Sequence, residues 1–452
     1  MSRGARVSGT APARGRSASF ISRLAGASPL RGAGGPALLA AFTAQNVANL
    51  LFHVGVSRLV GPMAYGGLVS LLTIHLVLMV PVNAAQIAVA QLISRADYES
   101  PGFPTARSVR NLQLRMAATA LVAFSVVAAL SPTLRGFLHL SSSTPVMVLG
   151  AIAFPLFLGI VPRGVLLGVR CFRQLAVALV VGSAARLAVG IVLSALGSGI
   201  TGAMLAVLVG EGVTTLIALK KLRSPQLDPE QGFQVTLSAR NVTGVTAAFG
   251  SFWLLVGMDS FLARHYLSSL GSGYYGAAAT AARAVLFLPG AVALVIFPTL
   301  VRTEGRGPEA RRSVLEAAVV VIVAGGVAAG LLAAFPGAFV IGLFGGKYRP
   351  PAQVVGILGA SAIVFGLINV FQLFHIARRS TLAYVPAAGV VGAAVSIALN
   401  HNSATRIALT MLIVSAAVAS VMSMGLTLRR NTDRGASHRS DAPNTSPPIA
   451  PV

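Results

Sequence analysis

"LGSGYYGAAATAARAVLFLPG", residues Leu270 to Gly290, begins like a membrane span yet carries an arginine, Arg283, among alanines and leucines. It echoes "LVGPMAYGGL" at Leu59 to Leu68. At an offset of 210 residues Gly61, Tyr65 and Gly66 fall on Gly271, Tyr275 and Gly276, and Leu76, Leu78 and Val82 on Leu286, Leu288 and Val292. Asn49 falls opposite Asp259, and Arg283 falls opposite the uncharged Thr73. The echo reads as an internal duplication in which the charge of the second copy has no counterpart in the first.

The surrounding composition sets the class. The 452 residues are 55% hydrophobic and 10% charged, with a mean hydropathy of +0.79, against roughly a quarter charged in soluble domains. This is the composition of an all-α polytopic membrane protein. A single cysteine, Cys171, excludes an internal disulfide and a cysteine-based metal cluster. Residues 1–35 are basic, free of acids and rich in Ser, Gly and Ala. Transit peptides share that composition, but the segment reads as a disordered cytoplasmic tail, and no apolar stretch of signal-peptide type precedes the first long span. Residues 429–452, polar and rich in Pro and Ser, read as a second tail.

A helix needs about 20 apolar residues to cross the hydrocarbon core. Apolar runs between polar breaks predict twelve spans, at about 36–57, 63–93, 111–131, 145–169, 174–196, 198–220, 240–263, 273–301, 312–344, 352–377, 381–399 and 404–427. Pro81 and Pro289 offer kink sites in the second and eighth. With both termini inside, 27 of the 35 Lys and Arg fall on the inner side, six on the outer side, and Arg186 and Arg283 within spans. That bias is the positive-inside rule, so the termini are read as cytoplasmic and the chain as multi-pass in the cytoplasmic (inner) membrane. It also absorbs most of the +24 net charge, leaving little for nucleic acid to explain. The duplication then predicts a six-helix lobe at 36–220, a cytoplasmic linker at 221–239 and a second six-helix lobe at 240–428. Transporters built of parallel repeats hold their substrate path between the repeats, near the midplane.

Motifs for bond-making chemistry are missing, so no enzyme, cofactor or metal site is expected. The Gly-Lys pair in "GLFGGKYRP" lacks both the glycine spacing and the Ser/Thr after Lys347 that a phosphate-cradling loop requires. None of the seven histidines has ligand spacing with another. His75 reads as packed or pore-lining.

What remains is charge inside the bilayer, which costs at least about 2.5–3.5 kcal/mol per ionisable residue at a span centre and marks functional candidates. Arg186, Glu211, Asp259 and Arg283 occupy spans five to eight, and Arg163 the inner part of span four. They are open to two readings. In one, Arg186 pairs with Glu211 and Asp259 with Arg283 as structure; in the other, the same groups face a wet cavity, binding an anion and exchanging a proton.

Two blocks carry a family likeness. "NVANLLFHVGVSRLVGPMAYGGLVSLLTIHLVLMVPVNAAQIAVAQLIS" and "DSFLARHYLSSLGSGYYGAAATAARAVLFLPGAVALVIFPTLVR" resemble spans one and two, and seven and eight, of polysaccharide flippases of the multidrug/oligosaccharidyl-lipid/polysaccharide (MOP) exporter superfamily. The resemblance extends from about Pro36 to Leu428. It implies a fold like that of multidrug and toxin extrusion (MATE) transporters, two lobes around a cavity, and alternating access. It further implies export of undecaprenyl-pyrophosphate-linked oligosaccharide for cell-surface polysaccharide biosynthesis, with membrane lipids and the pathway's glycan polymerase and glycosyltransferases as partners. In that reading Arg283, Arg58 and Arg186 face the pyrophosphate. Asp259 or Glu211 serves ion or proton coupling, and Asn46, Asn49, Asn83, Gln86 and the neighbouring Gln45 meet the glycan. Within the superfamily, a multidrug or organic-cation antiporter would want acids dominating the cavity. Lipid II flippases have fourteen spans and several arginines in the first two, where this chain has only Arg58. A membrane-embedded glycan polymerase or ligase needs a large outer loop, and the longest here, 132–144, is short.

Overall fold

The computed structural model describes residues 35–99, 106–222, 239–286, 296, 300 and 302–427, and no strand occurs among them. The expected tails at 1–35 and 429–452 lie outside the described residues, Gly35 apart. So do most of the linker at 221–239, Pro289, and all of the eighth span beyond Leu286 except Ile296 and Leu300.

Ten helices among the described residues are long and apolar enough to cross a membrane. In hydrocarbon every backbone polar group must be satisfied internally, which a helix does within its own segment. Their outer faces match that solvent. On α10 (Gly307–Ala334), Val319, Ile322, Val323 and Val327 recur at helical spacing and are all exposed. The small hydroxyl residues are tied to their own helices, as where Ser70 and Thr73 donate to the carbonyls of Gly66 and Val69.

The first two expected spans form one helix in name, α1 (Gly35–Glu99). Gly61, at φ 74 and ψ 169, breaks it into an outward and a returning half; only glycine takes up that conformation freely. Pro81 lies in the returning half without interrupting its helical angles. Next come α2 (Ala106–Ala129) and the short α3 (Ser131–Phe137). The fourth expected span, 145–169, is in fact two helices, α4 (Thr144–Leu158) and α5 (Ile160–Gly168), joined at Gly159 between Pro155 and Pro162. Each proline removes a backbone donor from the ladder. The first half closes with α6 (Phe172–Ala195) and α7 (Gly199–Leu222).

The second half repeats the order. It begins with α8 (Ala239–Tyr266) and α9 (Ser269–Arg283), the latter running into a 3-10 turn at Ala284–Leu286. The ninth expected span, 312–344, stops short of its predicted end. α10 ends at Ala334, Phe335 leaves helical geometry ahead of Pro336, and a separate α11 (Pro336–Phe344) follows. Then come α12 (Ala352–Ala377), a 3-10 turn at Thr381–Tyr384, α13 (Val385–Leu399) and α14 (Ala404–Thr427). Each half thus places a short helix, α3 or α11, directly after its third long run.

The two halves meet along the returning half of α1, which packs on α8 and α9. Contact is tightest at the outer turns. A Cβ on Gly273 would fall 1.9 Å from the carbonyl oxygen of Pro62, so backbone meets backbone there. Above the midplane the rings of Tyr65, Phe344 and Tyr348 lie 5.8 Å apart centre to centre and fill the seam. On the other side of these rings lies a cavity lined by residues of both halves.

Candidate functional site

The cavity holds about 610 Å³. Its wall on α1 runs from Gln45 to His53 and from Val69 to Ile87, skipping the outer turn, so the space belongs to the inner halves of the helices. Gly182, Ser183 and Arg186 of α6, with Gly210, Glu211 and Thr214 of α7, supply one side. Phe249 and Trp253 of α8, with Thr280 and Arg283 of α9, supply another. Asn46, Asn49 and Asn83 line it with Gln45, and so do His53, Thr73 and His75.

Three of the predicted site residues stand elsewhere. Arg58 is at the outer end of the first half of α1, where its Nε donates to the carbonyl of Leu343 at 2.8 Å and its Nη2 to that of Gly342 at 2.5 Å. It does not line the cavity, because it lies beyond the seam that closes the cavity's outer end. Gln86 is not among the residues that line the cavity; its helix packs on α5 there, its backbone carbonyl 2.9 Å from where a Cβ on Gly164 would sit. Asp259 is 2% exposed and lies behind Arg283.

The Asp259–Arg283 pair is the one anticipated. The guanidinium Nη2 donates to Asp259 Oδ1, to Ser260 Oγ at 2.9 Å and to the Val256 carbonyl at 2.8 Å. Asp259 also accepts from the Ser260 amide at 2.6 Å and the Tyr275 hydroxyl at 3.1 Å. The arginine side chain keeps 22% of its surface exposed against 3% for the acid, so the cation reaches the cavity and the carboxylate only anchors it.

The other anticipated pair, Arg186 with Glu211, is replaced. Glu211 Oε2 accepts from Arg163 Nη1 at 3.5 Å. Arg163 is buried and also donates to the carbonyls of Gly159 and Leu156. The bend between α4 and α5 makes this room: a Cβ on Gly159 would sit 2.3 Å from Arg163 Nη2. Arg186 is left without an ion pair among the described residues. Its guanidinium stacks 4.3 Å from the ring centre of Phe52, and its buried Nε has no hydrogen-bond partner. Stacking on an aromatic face attracts a cation without neutralising it. Three guanidiniums, of Arg163, Arg186 and Arg283, face two carboxylates, so the site keeps one net positive charge, centred on Arg186.

A second relation was hidden by the 210-residue register. His53 Nδ1 lies 3.0 Å from the Tyr65 hydroxyl, as Asp259 lies 3.1 Å from that of Tyr275. His53 stands five residues before Arg58, and Asp259 five before Arg264. The counterpart of Asp259 is therefore His53, not Asn49. The register is 206 up to the arginines and 210 over the turn and helix that follow, because the outer turn is four residues longer in the second half. Tyr65 also donates to Thr280 at 3.2 Å, joining the halves at the roof of the cavity. An alignment allowing one gap between Arg264 and Gly271 would have found this pairing. Arg264 has no role in the sequence reading, because an arginine at a span end looks like an ordinary flank.

No protein-family model matches the sequence, and no curated protein matches it either. Solved structures do. One described as the inward-facing conformation of a multidrug resistance MATE family transporter of the MOP superfamily superposes with a TM-score of 0.66 at 14% identity, covering 86% of this chain and 96% of that one. One described as the outward-facing conformation of such a transporter gives 0.57 at 16% identity, over 88% and 94%. The lipid II flippase MurJ, in an inward closed conformation, gives 0.62 at 10% identity, over 90% and 93%. The chain thus has the fold of MOP-superfamily transporters.

Proposed function

We propose that this chain is a membrane transporter that carries a lipid-linked oligosaccharide, joined to its polyprenyl carrier by pyrophosphate, from the inner to the outer leaflet of the cytoplasmic membrane. The observation behind this reading is the net positive cavity, with Arg186 unpaired and Arg283 held at its edge by Asp259. A pyrophosphate bears about two negative charges, and bare passage through hydrocarbon would be prohibitive. Guanidiniums bind such oxygens bidentately. Asn46, Asn49 and Asn83 offer amides to the sugars, while the lipid tail stays in the membrane.

The membrane potential then has the right sign. The cytoplasmic face is negative, so an outward-moving anion of two charges is driven by about 4.6 kcal/mol per 100 mV. The chain acts as a carrier rather than an enzyme in this account, its partners being the lipid-linked glycan, membrane lipids, and the polymerase and glycosyltransferases of the same route. The two lobes, at 36–220 and 240–428 with the linker at 221–239, rock to expose the cavity alternately to either side.

Glu211 favours a second reading, since it is the one carboxylate on the cavity wall among the described residues and organic-cation antiport needs such a group. Its pairing with Arg163 weakens that reading. Transport of a lipid-linked pyrophosphoryl oligosaccharide by the reconstituted protein, set against transport of an organic cation, separates the two. Loss of glycan transport on Arg186→Ala is the result expected for the first.

A further inference from the structure

Arg264 lies at the end of α8 and is only 4% exposed, although it sits at the outer edge of the bundle. All three of its nitrogens are in use, and most of their acceptors lie in the first half. Nε donates to the carbonyl of Leu138 at 2.8 Å, Nη2 to that of His139 at 3.1 Å, and Nη1 to that of Met63 and to Ser272 Oγ, each at 3.1 Å. Leu138 and His139 follow directly on α3, in the turn just past its last residue, Phe137. Arg58, at the end of the outward half of α1, does the converse, donating to the carbonyls of Gly342 and Leu343 at the end of α11. Each arginine comes from the first helix of one half and caps the short outer helix of the other.

The match extends to the backbone. His139, at φ 47, follows α3, and Gly345, at φ 98, follows α11, and both lie 206 residues from their counterparts, as do Arg58 and Arg264. The last carbonyls of a helix have no partner within it and carry partial negative charge. A left-handed residue turns the chain away at each end, Gly345 just beyond the Gly342 and Leu343 carbonyls and His139 itself in the turn after α3, and leaves carbonyls there open to a guanidinium. Neighbouring groups reinforce each cap. Tyr348 donates to the Ser57 carbonyl at 2.8 Å, and His265 lies 2.9 Å from the Phe137 carbonyl while stacking on the Phe137 ring.

We propose that Arg58 and Arg264 are a reciprocal pair of clasps forming an outer gate, which holds the two halves shut above the cavity and is undone when the cavity turns outward. The logic is reversible binding. Carbonyl acceptors at the protein edge can exchange a guanidinium for water, so the clasps stabilise the closed outer seam without making it permanent. The two are unequal. Arg58 is exposed and already meets water, whereas Arg264 is buried, so opening the second clasp wets more of the seam. The inference rests on the transporter reading but not on the cargo, and its test uses none.

The test is side-specific labelling of the full-length chain. The one cysteine is removed by Cys171→Ser, and a reporter is placed on the cavity wall by Thr73→Cys. A membrane-impermeant maleimide is added to right-side-out and to inside-out vesicles. With both clasps intact the reporter reacts mainly from the inner side. Losing two or more guanidinium–carbonyl bonds through Arg58→Gln or Arg264→Gln should raise the outer-side rate about tenfold and lower the inner-side rate, with the larger change for Arg264. A rise from both sides in Arg264→Gln signals general loosening, and Arg58→Gln, at an exposed position, then decides. An unchanged outer rate in Arg58→Gln, or an equal rise on both sides, overturns the gate. A cargo other than a glycan leaves this result untouched.

Discussion

Arg283 and Asp259 are bound to each other, yet only Arg283 reaches the cavity. The acid is closed in by Ser260 and Tyr275, so it acts on the cavity only through the arginine it holds. This assigns different work to two residues that the sequence presents as a simple opposite-charge pair.

Asp259→Ala should therefore weaken folding and transport together. Removing one partner of a buried ion pair costs about 3–5 kcal/mol, and here it also strands Ser260 and Tyr275. Thermal unfolding in detergent should shift down accordingly. Glu211, by contrast, faces the cavity and is the remaining acid able to exchange a proton or cation with it. Collapsing the proton and sodium gradients should slow the wild-type chain and leave Glu211→Gln indifferent; a wild-type rate that ignores both gradients removes the coupling role.

Arg186 and Arg163 should separate binding from stability. Arg186 holds no ion pair among the described residues, so Arg186→Ala should change unfolding by no more than about 2 kcal/mol, the scale of a desolvated cation stacked on Phe52, while abolishing transport. Arg186→Lys should recover only part of the rate, since an ammonium lacks the planar fork. Arg163→Ala should do the reverse and destabilise by about 3 kcal/mol or more, because it leaves Glu211 unpaired beside bare carbonyls.

Gly273→Ala addresses the seam itself. The added methyl would meet the Pro62 backbone at 1.9 Å, and no side chain can swing aside to relieve it. Overpacking of this kind costs about 1–3 kcal/mol, here charged to the closed outer seam alone. Transport should fall, and a cavity reporter should become more open to the outer side.

Much of this fold was legible in advance. Composition and apolar run lengths gave the membrane class, and the Gly-Tyr-Gly echo pointed to the turn that each half shares. The misreadings have specific physical causes. Four extra residues between Arg264 and Gly271 shift the register inside a single turn, so a fixed offset set Asn49 against Asp259 and concealed His53. Arg58 looked like a cavity residue because its height along a helix, and hence which side of the seam it occupies, depends on where the halves touch. Glu211 had two arginines within reach, and the choice of Arg163 followed from the bend at Gly159, which no periodicity displays. Pro336 does announce the end of the ninth span, but the apolar residues of α11 mask it in a hydropathy reading.

The central claim is that an unpaired guanidinium in the cavity receives a pyrophosphate. It is tested most directly in proteoliposomes holding the full-length protein, by following movement of a lipid-linked pyrophosphoryl oligosaccharide between leaflets under an imposed potential. The account predicts movement that quickens when the donor side is made negative and that is lost in both Arg186→Ala and Arg283→Ala. Undiminished movement in those variants, or movement of an organic cation with none of the glycan, would contradict it.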